Sequence, residues 1–308
     1  MKQLLKAVVI AIALVLVIKV FAFTSCTIPS TGMENTLYRG ERVIVNLWSY
    51  GFRVPFMSVF GYQRWNERPV KRGDIVLFNN PAPADKQKGH SGKEVFINRC
   101  IGLPGDTLML NNELIQTNDR ILSPDSKLIY AYPGEEEDLV VKAIRKTGIA
   151  NNELIGYDNG YYLRSFSHYE LYLLKQELGG TVRFKSMQTD TAEGVHPFVV
   201  PGKGKSVKVY PWNAKLLCNT IICHEGRNAS LRNDTLIIDG KPAESYTFTK
   251  DYHWMASNNS ISLCDSRLFG FVPKDHVIGR AALIWFSKDN EKPLWEGYRW
   301  ERFFRLVK

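Results

Sequence analysis

Three short stretches hold the side chains from which a reaction could be assembled. The first reads Ile28-Pro29-Ser30-Thr31-Gly32-Met33 and offers the hydroxyls of Ser30 and Thr31 beside Gly32, which has no side chain and cannot attack a carbonyl. The second, residues 95–106, offers Asn98, Arg99 and Cys100. A hydroxyl becomes a useful nucleophile only when a neighbouring base takes its proton. Asn98 is an amide without the basicity for that task. Arg99 stays protonated and faces the other way. Cys100 shares the face of Asn98 but has no activating partner, so a buried thiol is expected. Lys93 stands five residues before Asn98, an odd spacing that sends the two side chains to opposite faces of one strand. The third stretch ends in Asp265-Ser266-Arg267, where Asp265 and Arg267 can form a charge-assisted bidentate pair that Arg99 joins from a neighbouring strand.

Together these stretches resemble the signature segments of bacterial type I signal peptidases. In that family an apolar residue, Pro, Ser and a spacer precede the nucleophilic Ser and a Met; this chain has Gly32 at the nucleophile and Met33 after it. The family's general base is a Lys immediately before an Arg; this chain has Asn98 before Arg99. Ser30 corresponds to the serine whose hydroxyl helps bind the oxyanion, so Ser30 and Met33 are the substrate-binding candidates. Asp74-Ile75-Val76, after Arg72-Gly73, resembles the strand that lies beside bound substrate. The last signature, Gly-Asp-Asn-Arg followed by Asp-Ser-Arg, keeps only Asn259 of its first four positions, and its lysine-supporting serine falls on Leu263. Arg99, Asp265, Ser266 and Arg267 are then expected to brace the fold. The resemblance implies a serine peptidase scaffold that is catalytically inactive and can still bind signal peptides, exported preproteins or an active signal peptidase.

The alternative is an active signal peptidase with a relocated nucleophile, Ser30 being the first candidate. In an extended segment Ser30 and Gly32 share a face with their Cα atoms roughly 6.5–7 Å apart. A misplacement of about 1 Å already costs on the order of a hundredfold. Loss of nucleophile or base alone costs on the order of 10⁶ in turnover in a comparable hydrolase.

The elements that must position these residues begin with an anchor. Residues 4–23 are nearly continuous in Ala, Val, Ile, Leu and Phe, broken only by Lys6 and Lys19. About 20 residues span a bilayer core. Lys2 and Lys6 favour a cytoplasmic N-terminus, and Lys19 can snorkel to the outer headgroups. The expectation is a single-pass protein of the inner membrane, residues 1–23 being tip and anchor and 24–308 a domain on the outer, periplasmic side. A cleaved signal peptide and a lipoprotein signal with lipid on Cys26 are the competing readings. The net charge of +9, from 40 basic and 31 acidic residues, suits contact with anionic membrane lipid. With no basic helical stripe and no binding motif, nucleic acid is not expected as a partner.

Beyond the anchor, the pattern predicts a mainly β, antiparallel domain. Strands are expected at 42–46, 74–78, 94–101, 207–209 and 281–286, and hairpins around Asn111-Asn112 and Asp239-Gly240. Residues of about 120–195 read as a small α+β insertion with a helix at 169–178 and a solvated acidic turn at 133–138. Its Tyr157, Tyr161, Tyr162, Tyr169 and Tyr172 are expected to pack a satellite core. The five cysteines, Cys26, Cys100, Cys218, Cys223 and Cys264, match no zinc framework, and their odd number leaves at least one unpaired. The six histidines lack ligand spacing, so neither a metal nor another cofactor is expected.

Overall fold

Apolar side chains at Val43 and Val45 alternate with Arg42, Ile44 and Asn46, and only the first pair is fully buried. That period of two marks a strand with one face on a core. In the computed structural model this strand, β2 (Arg42–Asn46), belongs to an eight-stranded antiparallel sheet. The structure describes residues 21–54, 61–81, 94–111, 127–149, 152, 154–187, 194–259 and 264–307, with positions 3, 6, 8–11, 15 and 19.

The order in the main sheet is β1 (Phe23–Thr27), β2, β20 (Val277–Phe286), β5 (Ile75–Asn79), β6 (Val95–Gly102), β18 (Tyr252–Ala256) and β19 (Val272–Pro273), with β21 (Arg305–Leu306) added beside β20. The strands expected at 42–46, 74–78, 94–101 and 281–286 are all present. Strand β1 was not expected: its five residues follow an apolar run directly, and the run masks the change of period. Gly102 ends β6 where a Cβ would come within 2.8 Å of the Trp254 Cβ and 2.9 Å of a Val200 methyl, so only glycine lets these elements touch.

Smaller ribbons complete the β architecture. β7 (Thr107–Leu110) pairs with β12 (His196–Val199), β13 (Ser206–Lys208) with β17 (Ser245–Thr247), and β3 (Phe52–Arg53) with β4 (Arg64–Trp65). β15 (Thr235–Ile238) lies between β14 (Ala229–Arg232) and β16 (Lys241–Pro242). Asp239 at φ 47° and Gly240 at φ 82° make the two-residue turn expected there. β7 pairs with β12, and the second arm of the hairpin expected around Asn111-Asn112 lies outside the described residues.

A second sheet runs β11 (Lys185–Ser186), β8 (Lys127–Pro133), β10 (Tyr161–Ser167), β9 (Leu154–Asp158). Helices α1 (Glu137–Thr147) and α2 (His168–Glu177) accompany it. Ser167 and Glu170 close α2 with a reciprocal capping box. The acidic run at 133–138 is not merely a turn. It passes through one 3₁₀ turn into α1, with Glu137 and Asp138 at the positive end of the helix.

The tyrosine expectation is corrected. The core of this sheet is Tyr130, Tyr132, Val140, Phe166, Leu171 and Leu174; Tyr162 packs on its margin, while Tyr157, Tyr161, Tyr169 and Tyr172 are exposed. In α2 the inward face is already taken by Leu171 and Leu174, which turns Tyr169 and Tyr172 to solvent.

At the N-terminus every described position from Gln3 to Phe21 is helical, and Val8, Val9, Ile10 and Val15 are exposed. Half of the expected anchor lies outside the described residues, and among those described no helix is long and apolar enough to cross a membrane. A third longer helix, α3 (Pro211–Thr220), begins on a proline at its first position. A single-turn helix, α4 (Ser266–Phe269), follows Asp265, whose side chain caps it.

Candidate active site

The chain leaves β1 at Ile28, and main-chain bonds pin the exit. Ile28 N–H donates to Glu41 O at 2.8 Å, and Gly40 N–H to Ile28 O at 2.9 Å. Between these points the chain winds into turns, with Glu34 N–H on Thr31 O at 3.0 Å and Leu37 N–H on Met33 O at 2.7 Å. Ile28, Met33 and Leu37 insert beneath, at most 2% exposed, against Val43, Ile75, Ala281 and Ile284. Bringing Ile28 and Met33 into one core requires the chain between them to fold back.

That overturns the extended geometry assumed for Ser30 and Gly32. Ser30 Oγ lies 3.5 Å from the Gly32 N. Gly32 is buried and, unlike the glycines of the tight turns, does not have positive φ, so its backbone does not demand glycine.

The β5–β6 hairpin forms the facing wall. A cleft of about 400 Å³ runs between the two, lined by Ser30, Gly32 and Met33 on one side and by Leu77, Ile97 and Asn98 on the other. Cys26 and Thr27 of β1, the exposed Cys264 and the carboxylate-bearing Glu94 also border it. Three strands separate β1 from β6 in the sheet, so the sheet must curl for both to border one cleft. The two positions singled out for chemistry, Gly32 and Asn98, therefore share a cavity. Among the described residues no lysine and no histidine lines it, and its hydroxyls are those of Thr27 and Ser30. Asn98 is 3% exposed and its Oδ1 accepts no hydrogen bond from any described residue. Met33 serves as apolar floor. Lys93 and Leu263 lie outside the described residues.

The third stretch braces the first. Asp265, 1% exposed, receives Arg267 in bidentate fashion (Nε to Oδ1 at 2.9 Å, Nη2 to Oδ2 at 2.8 Å) and the Ser257 hydroxyl at 2.6 Å. Ser266 Oγ accepts from Met255 N at 2.9 Å. Arg99 does not join this pair as expected. Its guanidinium reaches Thr36 Oγ1 at 2.8 Å, Gly73 O at 3.1 Å and Asn258 Oδ1 at 3.4 Å, because odd spacing from Asn98 turns it to the opposite face. Asn258 Nδ2 donates to Thr36 Oγ1 at 2.7 Å and Glu34 O at 3.1 Å. Cys100 is the buried thiol expected: it is wholly inaccessible, and burial, with Asp74 adding to it, pushes its thiol up to about 12.

Two supports were missed in the sequence. Thr36 is the hub on which Arg99 and Asn258 converge. Lys127, fully buried, places Nζ 2.9 Å from Glu34 Oε2 and its backbone N–H 2.7 Å from Asn258 O. No local pattern links residue 34 to residue 127, so neither pairing has a signal in the sequence.

With this geometry in view, the comparisons with known proteins agree. The family described as "Signal peptidase, peptidase S26" matches residues 1–168. The chain belongs to the signal peptidase S26 family. Signal peptidase I of Buchnera aphidicola is 26% identical over 288 residues, covering 91% of this chain and 74% of its own length. Signal peptidase I of Haemophilus influenzae is 23% identical over 322 residues, covering 96% and 73%. Probable signal peptidase I-2 of Synechocystis is 32% identical over 161 residues, covering 52% and 65%.

Proposed function

We propose that this chain is a signal peptidase homologue that has lost peptide hydrolysis and keeps a peptide-binding cleft. The observation that carries the reading is the meeting of Gly32 and Asn98 in one cleft without a lysine or histidine among its described lining residues. A carbonyl held there would find hydrogen-bond donors but no activated nucleophile. The orphaned, buried Oδ1 of Asn98 is an acceptor suited to a peptide N–H. The edge strand β1 offers main-chain bonding to an extended peptide. Signal peptides and exported preproteins are the proposed occupants, and an active signal peptidase is a proposed partner.

The proposal includes a membrane setting. The described apolar residues of the N-terminal helix are exposed rather than packed on the domain, which suits a lipid environment. On this reading residues 1–23 anchor the chain in the inner membrane with the N-terminus inside, residues 24–308 stand on the outer side, and residues of about 120–195 are an insertion.

One observation favours the alternative of a working peptidase. Ser30 Oγ bends to 3.5 Å from Gly32 N, nearer the reaction centre than an extended chain would allow. The deciding experiment is cleavage of a signal-peptide-bearing preprotein by the purified full chain in detergent, beside Ser30→Ala and the double variant Gly32→Ser/Asn98→Lys. No cleavage by the wild type together with cleavage by the double variant is the expected result. Wild-type cleavage abolished by Ser30→Ala overturns the inactive reading.

A further inference from the structure

A second cavity of about 320 Å³ shares no described lining residue with the peptide cleft, and its lining is basic. Arg64, Arg68 and Lys274 border it, with His253 at its base and the carboxylates of Glu67 and Asp251 at its edge. Glu67 is taken by Lys274 at 2.6 Å, and Asp251 Oδ1 accepts the Lys203 N–H at 2.9 Å. That leaves two guanidinium groups without a carboxylate. Arg68 is exposed and has no ion-pair partner among the described residues. Arg64 donates only to carbonyls, those of Val277 at 2.6 Å and Tyr50 at 3.5 Å, and its buried Nε has no partner among the described residues.

Two further observations point to an absent ligand. Arg64 faces Arg53 directly across the β3–β4 ribbon, a like-charge pairing that an isolated ribbon disfavours. Burial holds both guanidinium groups below their ordinary range, and at Arg53 the charge of Arg64 adds to it. An anion beside them relieves both effects. The second observation is His253, 3% exposed, whose Nδ1 has no hydrogen-bond partner among the described residues. Burial pushes its imidazole down to about 4, so the ring is neutral at neutral pH. Its buried Nδ1 thus lacks a partner where the cavity could supply one. A ligand that is negative at one end and forms a hydrogen bond at the other satisfies both.

We infer that this cavity binds a phosphate ester carrying free hydroxyls, of the glycerol phosphate type, with its phosphate on Arg64, Arg68 and Lys274 and a hydroxyl hydrogen-bonded to His253 Nδ1. Two guanidinium groups from the 64–68 stretch and an ammonium from Lys274 suit the tetrahedral spread of phosphate oxygens better than a planar carboxylate. The location indicates a source. Phe52, opposite Trp65 in the same ribbon, stacks on Phe21 at the end of the N-terminal helix, with centroids 6.0 Å apart and planes 3° from parallel. If that helix is the anchor proposed above, the cavity stands at headgroup level and a phosphatidylglycerol headgroup is the natural occupant; the binding chemistry itself does not rest on that reading.

The test is calorimetric titration of the full chain in neutral detergent with glycerol phosphate, inorganic phosphate and glycerate. Glycerol phosphate is expected to bind saturably and about fivefold or more tighter than inorganic phosphate, and Arg68→Gln to weaken it by about tenfold. His253→Phe is expected to erase the advantage over inorganic phosphate while Arg68→Gln, at an exposed position, keeps the fold intact for comparison. Displacement of glycerol phosphate by dihexanoylphosphatidylglycerol assigns the site to lipid; failure to displace assigns it to a free ester. No saturable binding, binding untouched by Arg68→Gln, or glycerate binding as tightly as glycerol phosphate overturns the inference.

Discussion

The backbone N–H of Asn259 meets the carbonyl oxygen of Gly32 at 3.0 Å. Through this bond residues 255–259 and the turn 28–37 are fixed to each other beside the cleft, and the Asn258 side chain adds its bonds to Glu34 O and Thr36 Oγ1. Residues of the third stretch thus act on the cleft by holding the turn in place, whatever occupies position 32.

Asp265→Ala is therefore expected to cost about 3 kcal/mol, because it leaves the largely buried Arg267 guanidinium and the Ser257 hydroxyl without their shared carboxylate. Urea unfolding of the full chain in detergent measures it. A loss below about 1 kcal/mol would show that the bracket is not structural.

In the second sheet, Leu174→Ala is expected to destabilise by about 3 kcal/mol, since Leu174 is wholly inaccessible. Tyr169→Ala should stay within about 0.5 kcal/mol, because Tyr169 is exposed on the opposite face of α2. Similar losses in both variants would contradict the face assignment.

His253 gives a pH dependence of definite sign. Its ordinary value of 6.5 falls to about 4 in the fold through burial. As pH drops below 6.5 the unfolded chain takes up a proton that the folded chain refuses until about 4. Stability should therefore decline across that window, by up to about 3 kcal/mol, and level off below it. The difference in unfolding free energy between wild type and His253→Phe, followed from pH 7 to about 4, isolates this contribution from the carboxylates. A pH-independent difference would refute it.

The thiols should react in a fixed order. Cys264 is exposed at the cleft rim, whereas burial pushes the thiols of Cys26 up to about 11 and Cys100 up to about 12. Iodoacetamide at pH 8 is expected to alkylate Cys264 early and Cys100 only on unfolding, as read by peptide mass mapping. A signal-length peptide that fills the cleft should slow Cys264.

What could be read in the sequence was what repeats locally. Val43 and Val45, the apolar run after Gly73, and the Asp239-Gly240 turn each announce themselves within a few residues, and the structure has strands and a turn there. The cleft was legible only through resemblance, because nothing in the spacing of Gly32 and Asn98 says that they meet. Thr36, Lys127 and the buried pair of Glu41 with Arg302 had no sequence signal at all. Each joins segments far apart in the chain, and pairing at that range is chosen by packing rather than by period. The tyrosines failed for the opposite reason: five tyrosines within sixteen positions suggest a core, but the α2 face that reaches it belongs to leucines.

Between the helical Phe21 and the first residue of β1 stands only Ala22, and its carbonyl already accepts the Leu47 N–H at 3.0 Å. There is no slack at this joint. The cleft begins one strand further on, so the end of the helix at Phe21 and the start of the cleft are joined by a single pinned residue and one strand. Lengthening the joint by a few flexible residues would turn a fixed bracket into a tether, and whatever the cleft engages would then be found by chance encounter instead of by alignment.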